Sequence, residues 1–248
     1  MTTTTNATIN PEYILDTAHA LIAGATGCGK SVLLHQVVLA ALRRGPAHGE
    51  LFLIDLKRGV EFCDYEGRPG VTRFCLTPME ALAALDEAIR VMTARLDVMR
   101  RRKEKLYAGA DLWVIIDEMG FLLQSARKEA LPRLTQISQQ GRAARVHLIC
   151  ATQNPGRSNR TGIPAEIQQN MTLKVALHCT TATESRQIVG VKGAEDLPKH
   201  GTALVWDSGF VEAVSVPNLT PEQIAAALKE VSSQETRRAA FIRRFRTA

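Results

Sequence analysis

Residues 24–31 read Gly24-Ala25-Thr26-Gly27-Cys28-Gly29-Lys30-Ser31 and follow the pattern G-x-x-x-x-G-K-S. Glycines let such a loop wrap around a polyphosphate with its backbone N–H groups pointing inward. Lys30 brings a positive charge to the terminal phosphate oxygens, and the Ser31 hydroxyl can ligate Mg²⁺. We therefore predict that this loop, together with Val32 in the helix that follows, binds the phosphates of a nucleotide.

The sequence on both sides of the loop supports this prediction. Residues 19–23 read as a short buried strand, and residues 31–42 as an amphipathic helix whose positive N-terminus would face an anion. Farther along the chain, apolar strand-like runs alternate with helical patterns, which predicts βαβ units. The expected fold is α/β, with a mostly parallel central sheet flanked by helices. A C-terminal β-hairpin around Asp207-Ser208-Gly209 and a final helix complete it.

The composition fits a globular protein from a reducing compartment. The 248 residues are 45% hydrophobic but only 5% aromatic, which suits an aliphatic parallel sheet. Five scattered cysteines without a C-x-x-C pair argue against a disulfide framework and against a zinc site. No apolar run approaches the roughly 20 residues that span a bilayer, and the N-terminus lacks the parts of a signal peptide. We therefore expect a cytoplasmic location without a transmembrane segment.

A second motif follows the apolar run 112–116, where Asp117 and Glu118 stand side by side. Open α/β sheets place their ligands at the carboxyl ends of their strands. Asp117 would hold Mg²⁺ opposite Ser31, and Glu118 would act as general base on the attacking water. The alternative is that both acids only cap the next helix. An adjacent Asp-Glu pair favours ATP hydrolysis over a GTPase switch.

Two further polar positions are candidates for catalysis. The strand predicted over residues 147–151 ends in Thr152-Gln153, and Gln153 could hydrogen-bond the γ-phosphate or the water. Just before this strand, Arg142 and Arg145 stand at a helix end. From the residues alone, two readings of this pair are equally supported. Either one of the two arginines neutralises the γ-phosphate of a neighbouring subunit, or both lie in solvent at the negative end of a helix.

The net charge of +6 is unevenly distributed. Five arginines lie in the last dozen residues, interleaved with Phe241, Ile242 and Phe245, and a second basic cluster covers residues 95–105. Local basic clusters are what a polyanionic partner needs, but a solvated helix face has the same composition. The tail could pack on its own core, on DNA or on an anionic membrane surface. We leave these alternatives open.

Five blocks of the sequence resemble the FtsK/SpoIIIE double-stranded DNA translocases, within the FtsK–HerA group of RecA-like P-loop motors. The blocks are residues 24–31, 54–57, 112–118, 141–153 and 183–188. The resemblance covers about residues 15–216, and its most specific block is the one that ends at Gln153. It implies a RecA-like ATPase motor domain over residues 15–219, an N-terminal extension over 1–14, and a C-terminal helix with a basic tail over 220–248.

The resemblance also implies partners and roles. It implies a homo-hexameric ring with ATP and Mg²⁺ between subunits and duplex DNA in the pore, and it favours the reading of Arg142 as a trans-acting arginine finger. The loop after Gln153 would face the pore, with Arg157, Arg160 and Gln168 as DNA contacts. The alternative is an ordinary exposed polar loop.

Two departures from the family pattern stand out. Asn154 occupies the place of the usual arginine, and Cys28 that of the usual serine. Only the backbone is needed at position 28, so we expect function to survive there, and we expect thiol-blocking reagents to inhibit by crowding the phosphates.

The function expected from the sequence is that of an ATP-driven double-stranded DNA translocase. A plasmid, an integrative element or a phage is the expected genomic setting, and DNA transfer, segregation or packaging the expected process. Two alternatives remain open. The first is a protein-secretion-type motor with a similar domain, and the second is a nucleotide-dependent assembly module without hydrolysis.

Overall fold

A computed structural model describes residues 4–156 and 162–246 of the chain, with side chains from 7 to 156 and from 162 to 234. In these residues nine strands form one mixed sheet, whose spatial order is 1-9-8-7-2-6-5-3-4. The strands are β1 (Thr4–Thr8), β2 (His19–Ala23), β3 (Gly49–Ile54), β4 (Val71–Cys75), β5 (Asp111–Ile116), β6 (Val146–Thr152), β7 (Leu173–Ala176), β8 (Thr202–Asp207) and β9 (Phe210–Ser215).

The helices that cover the sheet begin and end where local chemistry predicts. They are α1 (Pro11–Asp16), α2 (Lys30–Arg44), α3 (Pro78–Arg102), α4 (Met119–Ala144), α5 (Ala165–Gln168), α6 (Ala182–Val189) and α7 (Pro221–Arg246). A capping box at Thr77 and Glu80 starts α3, and another at Thr181 and Glu184 starts α6. In each box the two residues satisfy backbone N–H groups that the first turn leaves without a partner.

The sheet is parallel where the sequence predicts it to be. Strands β2 to β7 run in one direction, while β7, β8 and β9 pair antiparallel. The predicted α/β fold with a C-terminal hairpin and helix is therefore confirmed. Strand β6 lies between β2 and β5, as the interpretation of Gln153 requires.

The central strands are buried on both faces, so alternate residues enter two different cores. On β5, Trp113 and Ile115 pack in a cluster with α1, α2 and α7, whereas Val114 and Ile116 pack in a cluster with α3 and α4. Trp113 is fully buried, and its indole N–H donates to the carbonyl oxygen of Leu15 at 3.0 Å. This bond ties α1 to the sheet.

Two local predictions differ from the structure. The sequence predicts a helix from Pro78 to about Tyr107, but α3 ends at Arg102, because Lys103 adopts the left-handed conformation with φ of 57° and turns the chain back toward β5. The structure also contains β1, a strand that the threonine-rich start did not suggest. It extends the sheet by pairing parallel with β9.

The sequence predicts two helices after β5, one ending at Arg127 and the next starting at about Glu129, and the structure has an interruption close to that point. Ala126 has φ of −145° and ψ of 40°, which divides α4 at a kink. Among the described residues, no helix has the length and apolar character that a membrane span requires.

Candidate nucleotide-binding site

The predicted motif residues meet at one edge of the sheet, because parallel neighbours all end there. In the strand register Ala23 lies beside Thr152, and Ile116 lies beside both Ile54 and Cys150. The residues that follow β2, β3, β5 and β6 therefore surround a common space. They supply the loop 24–31, the loop 55–62, the pair Asp117-Glu118, and Gln153.

The loop 24–31 requires glycine at defined positions. Gly27 and Gly29 have φ of 70° and 100°, a left-handed region that L-residues rarely adopt, and Gly29 is the N-cap of α2. Gly24 is required for a different reason. A Cβ there would lie 2.8 Å from the Cys28 sulfur and 3.0 Å from both the His178 carbonyl oxygen and the Leu177 Cβ.

Lys30 lies inside this loop. Its ammonium donates to the carbonyl oxygens of Gly24 and Ala25 at 2.9 and 2.8 Å, and the residue is 7% exposed. Burial lowers the pKa of Lys30. In this position the ammonium has two neutral carbonyl acceptors and little water. A bound phosphate would offer stronger, charge-assisted hydrogen bonds, so the side chain is well placed to turn toward it. Lys199 provides a second basic side chain beside the loop, next to Gly27.

The Cys28 side chain is packed beneath the phosphate-binding loop, beside Gly24. The residue is 1% exposed and belongs to the core cluster beneath α2, and burial raises the pKa of its thiol. The expectation that thiol reagents reach Cys28 and crowd the phosphates does not fit this geometry, because the thiol is packed in the core and burial raises its pKa. Cys63 is the exposed cysteine among the described residues.

The Ser31 hydroxyl has an acidic neighbour, Glu61, that the sequence reasoning missed. Glu61 Oε1 lies 3.2 Å from His35 Nε2, and the other ring nitrogen of His35 lies 2.7 Å from the Tyr65 hydroxyl. The hydrogen bond from His35 lowers the pKa of Glu61 despite its partial burial. A partly buried chain of polar groups therefore adjoins the predicted Mg²⁺ ligand.

Asp117 is paired with Lys57, at a contact of 2.7 Å between Oδ2 and the ammonium. Burial raises the pKa of Asp117, and Lys57 opposes that effect. Burial lowers the pKa of Lys57, but the hydrogen bond to Asp117 outweighs it, so the net shift is upward. Lys57 lies in the block 54–57 that carries the family resemblance, so its position after β3 was the available signal.

Asp55 fixes the loop that carries Lys57. The residue is fully buried, and its carboxylate accepts three backbone N–H groups, from Lys57 at 3.1 Å, Glu61 at 2.8 Å and Phe62 at 3.0 Å. The carboxylate thereby replaces the regular pairing that a tight loop cannot make. The loop 55–62 is thus built around one acid.

Glu118 caps the next helix, as one of the two readings of the sequence proposes, and its carboxylate also faces Gln153. It is the N-cap of α4, and its Oε1 accepts from the Gly120 N–H at 3.2 Å. The same oxygen accepts from the Thr152 hydroxyl at 3.0 Å, and the backbone N–H of Gln153 contacts the carboxylate. The Gln153 side chain in turn accepts a 2.6 Å hydrogen bond from the Thr26 hydroxyl. Hydrogen bonds therefore link the segments that follow β2, β5 and β6 at the site.

Arg142 lies at the opposite edge of the sheet. It is exposed near the end of α4, just before β6, which then runs seven residues to the edge that carries Gln153. At about 3.3 Å per residue, β6 separates the two edges by about 20 Å. Arg142 therefore cannot reach the nucleotide site of its own chain.

The neighbouring Arg145 has a structural role. Its guanidinium forms two hydrogen bonds with Asp111, at 2.7 and 2.6 Å, and His147 Nε2 lies 2.9 Å from the same carboxylate. Of the two arginines considered from the sequence, Arg142 alone is left exposed on this surface.

The predicted DNA contacts need one correction. Gln168 is 1% exposed, and its side-chain amide donates to the carbonyl oxygens of Pro155 and Ile163, both at 3.1 Å. It tethers the two ends of the loop between them and does not face solvent, so it is not a DNA contact in this structure. Arg157, Arg160 and the side chains of the arginine-rich tail lie outside the described residues.

The residues at this edge suit Mg²⁺, which prefers hard oxygen ligands. Ser31 offers a hydroxyl and Asp117 a carboxylate, and Asp117 already has a positive group at 2.7 Å. Among the described residues, no cluster of three or more His, Cys, Asp or Glu side chains could hold a metal ion. A magnesium ion here would therefore take its remaining ligands from phosphates and water.

The chain is similar to known proteins along most of its length. Residues 4–111 match the FtsK/SpoIIIE family. The DNA translocase FtsK of Staphylococcus aureus is 32% identical over 212 residues, covering 77% of this chain and 26% of that protein. The DNA translocase SpoIIIE of Bacillus subtilis is 29% identical over 240 residues, covering 88% of this chain and 30% of that protein. This chain thus spans about a quarter to a third of the length of these relatives.

Solved structures share the fold. The pCW3 conjugation coupling protein TcpA, solved as a monomer with ATPγS, has a TM-score of 0.75 at 21% identity, covering 87% of this chain and 65% of that one. The cytoplasmic domain of the Type VII secretion ATPase EccC of Thermomonospora curvata has a TM-score of 0.70 at 25% identity, covering 86% of this chain and 28% of that one. The family match and the similarity to the two translocases support an FtsK/SpoIIIE-type motor domain in this chain, and the solved structures support its fold.

Proposed function

We propose that this protein is an ATP-hydrolysing motor that translocates double-stranded DNA. The observation that carries the proposal is the convergence of Lys30, Asp117, Glu118 and Gln153 at one sheet edge of an FtsK/SpoIIIE-type domain. In this proposal ATP binds with Mg²⁺, Lys30 contacts the terminal phosphates, and Glu118 activates water.

The base of the nucleotide has a suitable place beside the loop. A cavity of about 410 Å³ adjoins the start of α2 and is lined in part by Val32, His200, Val216 and Pro217. Its mixed apolar and polar wall suits a purine ring, since small-molecule sites combine apolar surface with a few polar groups. We assign it to the adenine of ATP.

Arg142 completes the proposed site from a second copy of the chain. Because its own nucleotide is about 20 Å away, its exposed guanidinium is available to the γ-phosphate of a neighbour, as in a homo-hexameric ring. In such a ring the loop after Gln153 faces duplex DNA, with Arg157 and Arg160 as phosphate contacts. A cytoplasmic location and a plasmid, integrative element or phage as genomic setting belong to the same proposal.

The similarity to the EccC ATPase domain supports a second candidate, a motor that moves protein. Steady-state ATP hydrolysis with and without long duplex DNA, at two salt concentrations, separates the candidates. We expect strong stimulation by DNA that fades as salt rises, because phosphate contacts release counterions. Hydrolysis that ignores DNA would favour the protein motor, and nucleotide binding without turnover would favour an assembly module.

Variants test the assignment of the residues. We expect Lys30→Ala and Glu118→Gln to abolish turnover, whereas the exposed Lys128→Ala on α4 should retain it. Glu118→Gln should still bind ATP, because only the general base is lost. Normal hydrolysis by either of the first two variants would refute the role given to that residue.

A further inference from the structure

We propose that Lys57 is the internal counter-ion of Asp117 in the nucleotide-free protein, and that Mg²⁺ competes with its ammonium for this carboxylate. The proposal rests on the proposed nucleotide-binding function and adds a positioning residue to that site. In this view Lys57 keeps a buried acid neutralised until a Mg²⁺ ion binds to it.

The two side chains of this ion pair differ in burial. The Asp117 side chain is 3% exposed, whereas the Lys57 side chain is 40% exposed, and the two meet at 2.7 Å. A buried carboxylate without a cation is costly, because the protein interior does not replace its hydration. The Lys57 ammonium, by contrast, can be hydrated when a metal ion takes its place, because its side chain already reaches solvent. The pair is thus built so that the lysine moves and the aspartate stays.

The backbone beneath Lys57 is anchored. Asp55 accepts the Lys57 N–H together with those of Glu61 and Phe62, and the Gly59 N–H donates to the Asp55 carbonyl oxygen at 3.3 Å. The loop therefore holds the base of the lysine in place while its four-carbon stem can swing. A displaced ammonium would stay at the sheet edge where Lys30 also lies.

The competition follows from charge. Mg²⁺ binds carboxylate oxygens at about 2.1 Å, so an ion on Asp117 would lie within a few ångströms of the ammonium. Two cations at that separation repel each other strongly in a partly buried site. Metal binding and the ion pair between Lys57 and Asp117 therefore exclude each other.

The test uses thermal unfolding of the full chain without nucleotide, over a series of Mg²⁺ concentrations. Lys57→Met keeps most of the stem but removes the charge, Lys57→Arg keeps the charge, and Lys128→Met is a control on an exposed helix position. Without Mg²⁺, we expect Lys57→Met to lower Tm by about 2–4 °C. We expect Mg²⁺ to bind this variant on the order of tenfold more tightly than wild type and to restore its Tm.

Two results bear on the proposal in opposite ways. A Mg²⁺ response confined to Lys57→Met, and absent when Asp117→Asn is added to it, would support the proposal. Equal responses of wild type and Lys57→Met, including no response in either, would overturn it. Because this readout needs no ATP, it is separate from the tests of the proposed function, which are the binding of a fluorescent ATP analogue with Mg²⁺ and the stimulation of ATP hydrolysis by DNA.

Discussion

Replacement of Asp55 provides a quantitative test of how the site is built. This carboxylate is fully buried and accepts three backbone N–H groups of the loop 55–62, at 2.8 to 3.1 Å. Hydrogen bonds to a charged group contribute about 1.5–3 kcal/mol each, and the buried N–H groups would lose their acceptor. Partial rehydration of the loop offsets some of this loss. We therefore expect Asp55→Ala to cost about 4 kcal/mol of unfolding free energy.

The conservative variant should show an intermediate effect. Asp55→Asn keeps one acceptor oxygen but places an NH₂ group against an N–H on its other side, so about 2 kcal/mol should be lost. Urea denaturation of the full chain measures both values, provided the slope m stays constant. Asp64→Asn, on an exposed carboxylate of the neighbouring turn, is the control and should stay within about 0.5 kcal/mol of wild type.

If Asp55 organises the loop 55–62, its removal must cost a large amount of unfolding free energy. If Asp55→Ala costs less than about 1 kcal/mol, the three hydrogen bonds do not organise the loop, and the reasoning for Lys57 loses its anchor. A loss in Asp64→Asn equal to that in Asp55→Asn would point to a general charge effect instead. The decisive observation is therefore that the loss of unfolding free energy decreases from Asp55→Ala to Asp55→Asn to the control, Asp64→Asn.

Three further predictions test other parts of the structure. Arg142→Ala should lower the turnover number about 10³-fold. If the arginine acts across a subunit boundary, mixing this variant with Lys30→Ala should restore part of the activity, and no recovery would refute action in trans. Burial raises the pKa of Asp111, but its basic partners outweigh this and hold that pKa below its usual range. Asp111 therefore stabilises the fold above about pH 4, and this contribution fades as the pH falls further. Urea denaturation should show that the difference in unfolding free energy between wild type and Asp111→Asn becomes smaller below that pH. A difference that does not change with pH would contradict the ion-pair account. Maleimide labelling followed by mass spectrometry should modify Cys63 well before the buried Cys28, and rapid labelling of Cys28 would disprove the burial argument.

Much of the candidate site could be predicted because the motif spacing maps directly onto strand ends. A glycine-rich loop between a buried strand and a helix leaves few alternatives for the chain. The apolar run before Asp117 marks a central strand for the same reason. What joins these parts is the parallel sheet, which brings separate strand ends to one edge.

Other features could not be predicted because they depend on contacts between distant residues. Neither the pairing of Lys57 with Asp117 nor the chain from Ser31 through Glu61 to His35 has a local pattern. The burial of Gln168 was also missed, since a polar residue in a loop is usually exposed. Its amide is buried because two backbone carbonyls need a donor there.

The sequence by itself determined the fold class, the phosphate-binding loop and the acidic pair, because glycine conformation and the periodicity of apolar residues are local properties. Only the tertiary structure decided which charges meet. It placed Arg142 at the far edge from its own site, directed Cys28 into the core, and made Lys57 the partner of Asp117. The physical reason is that electrostatic contacts depend on distance in space, which strand order and register set and which sequence separation does not reveal.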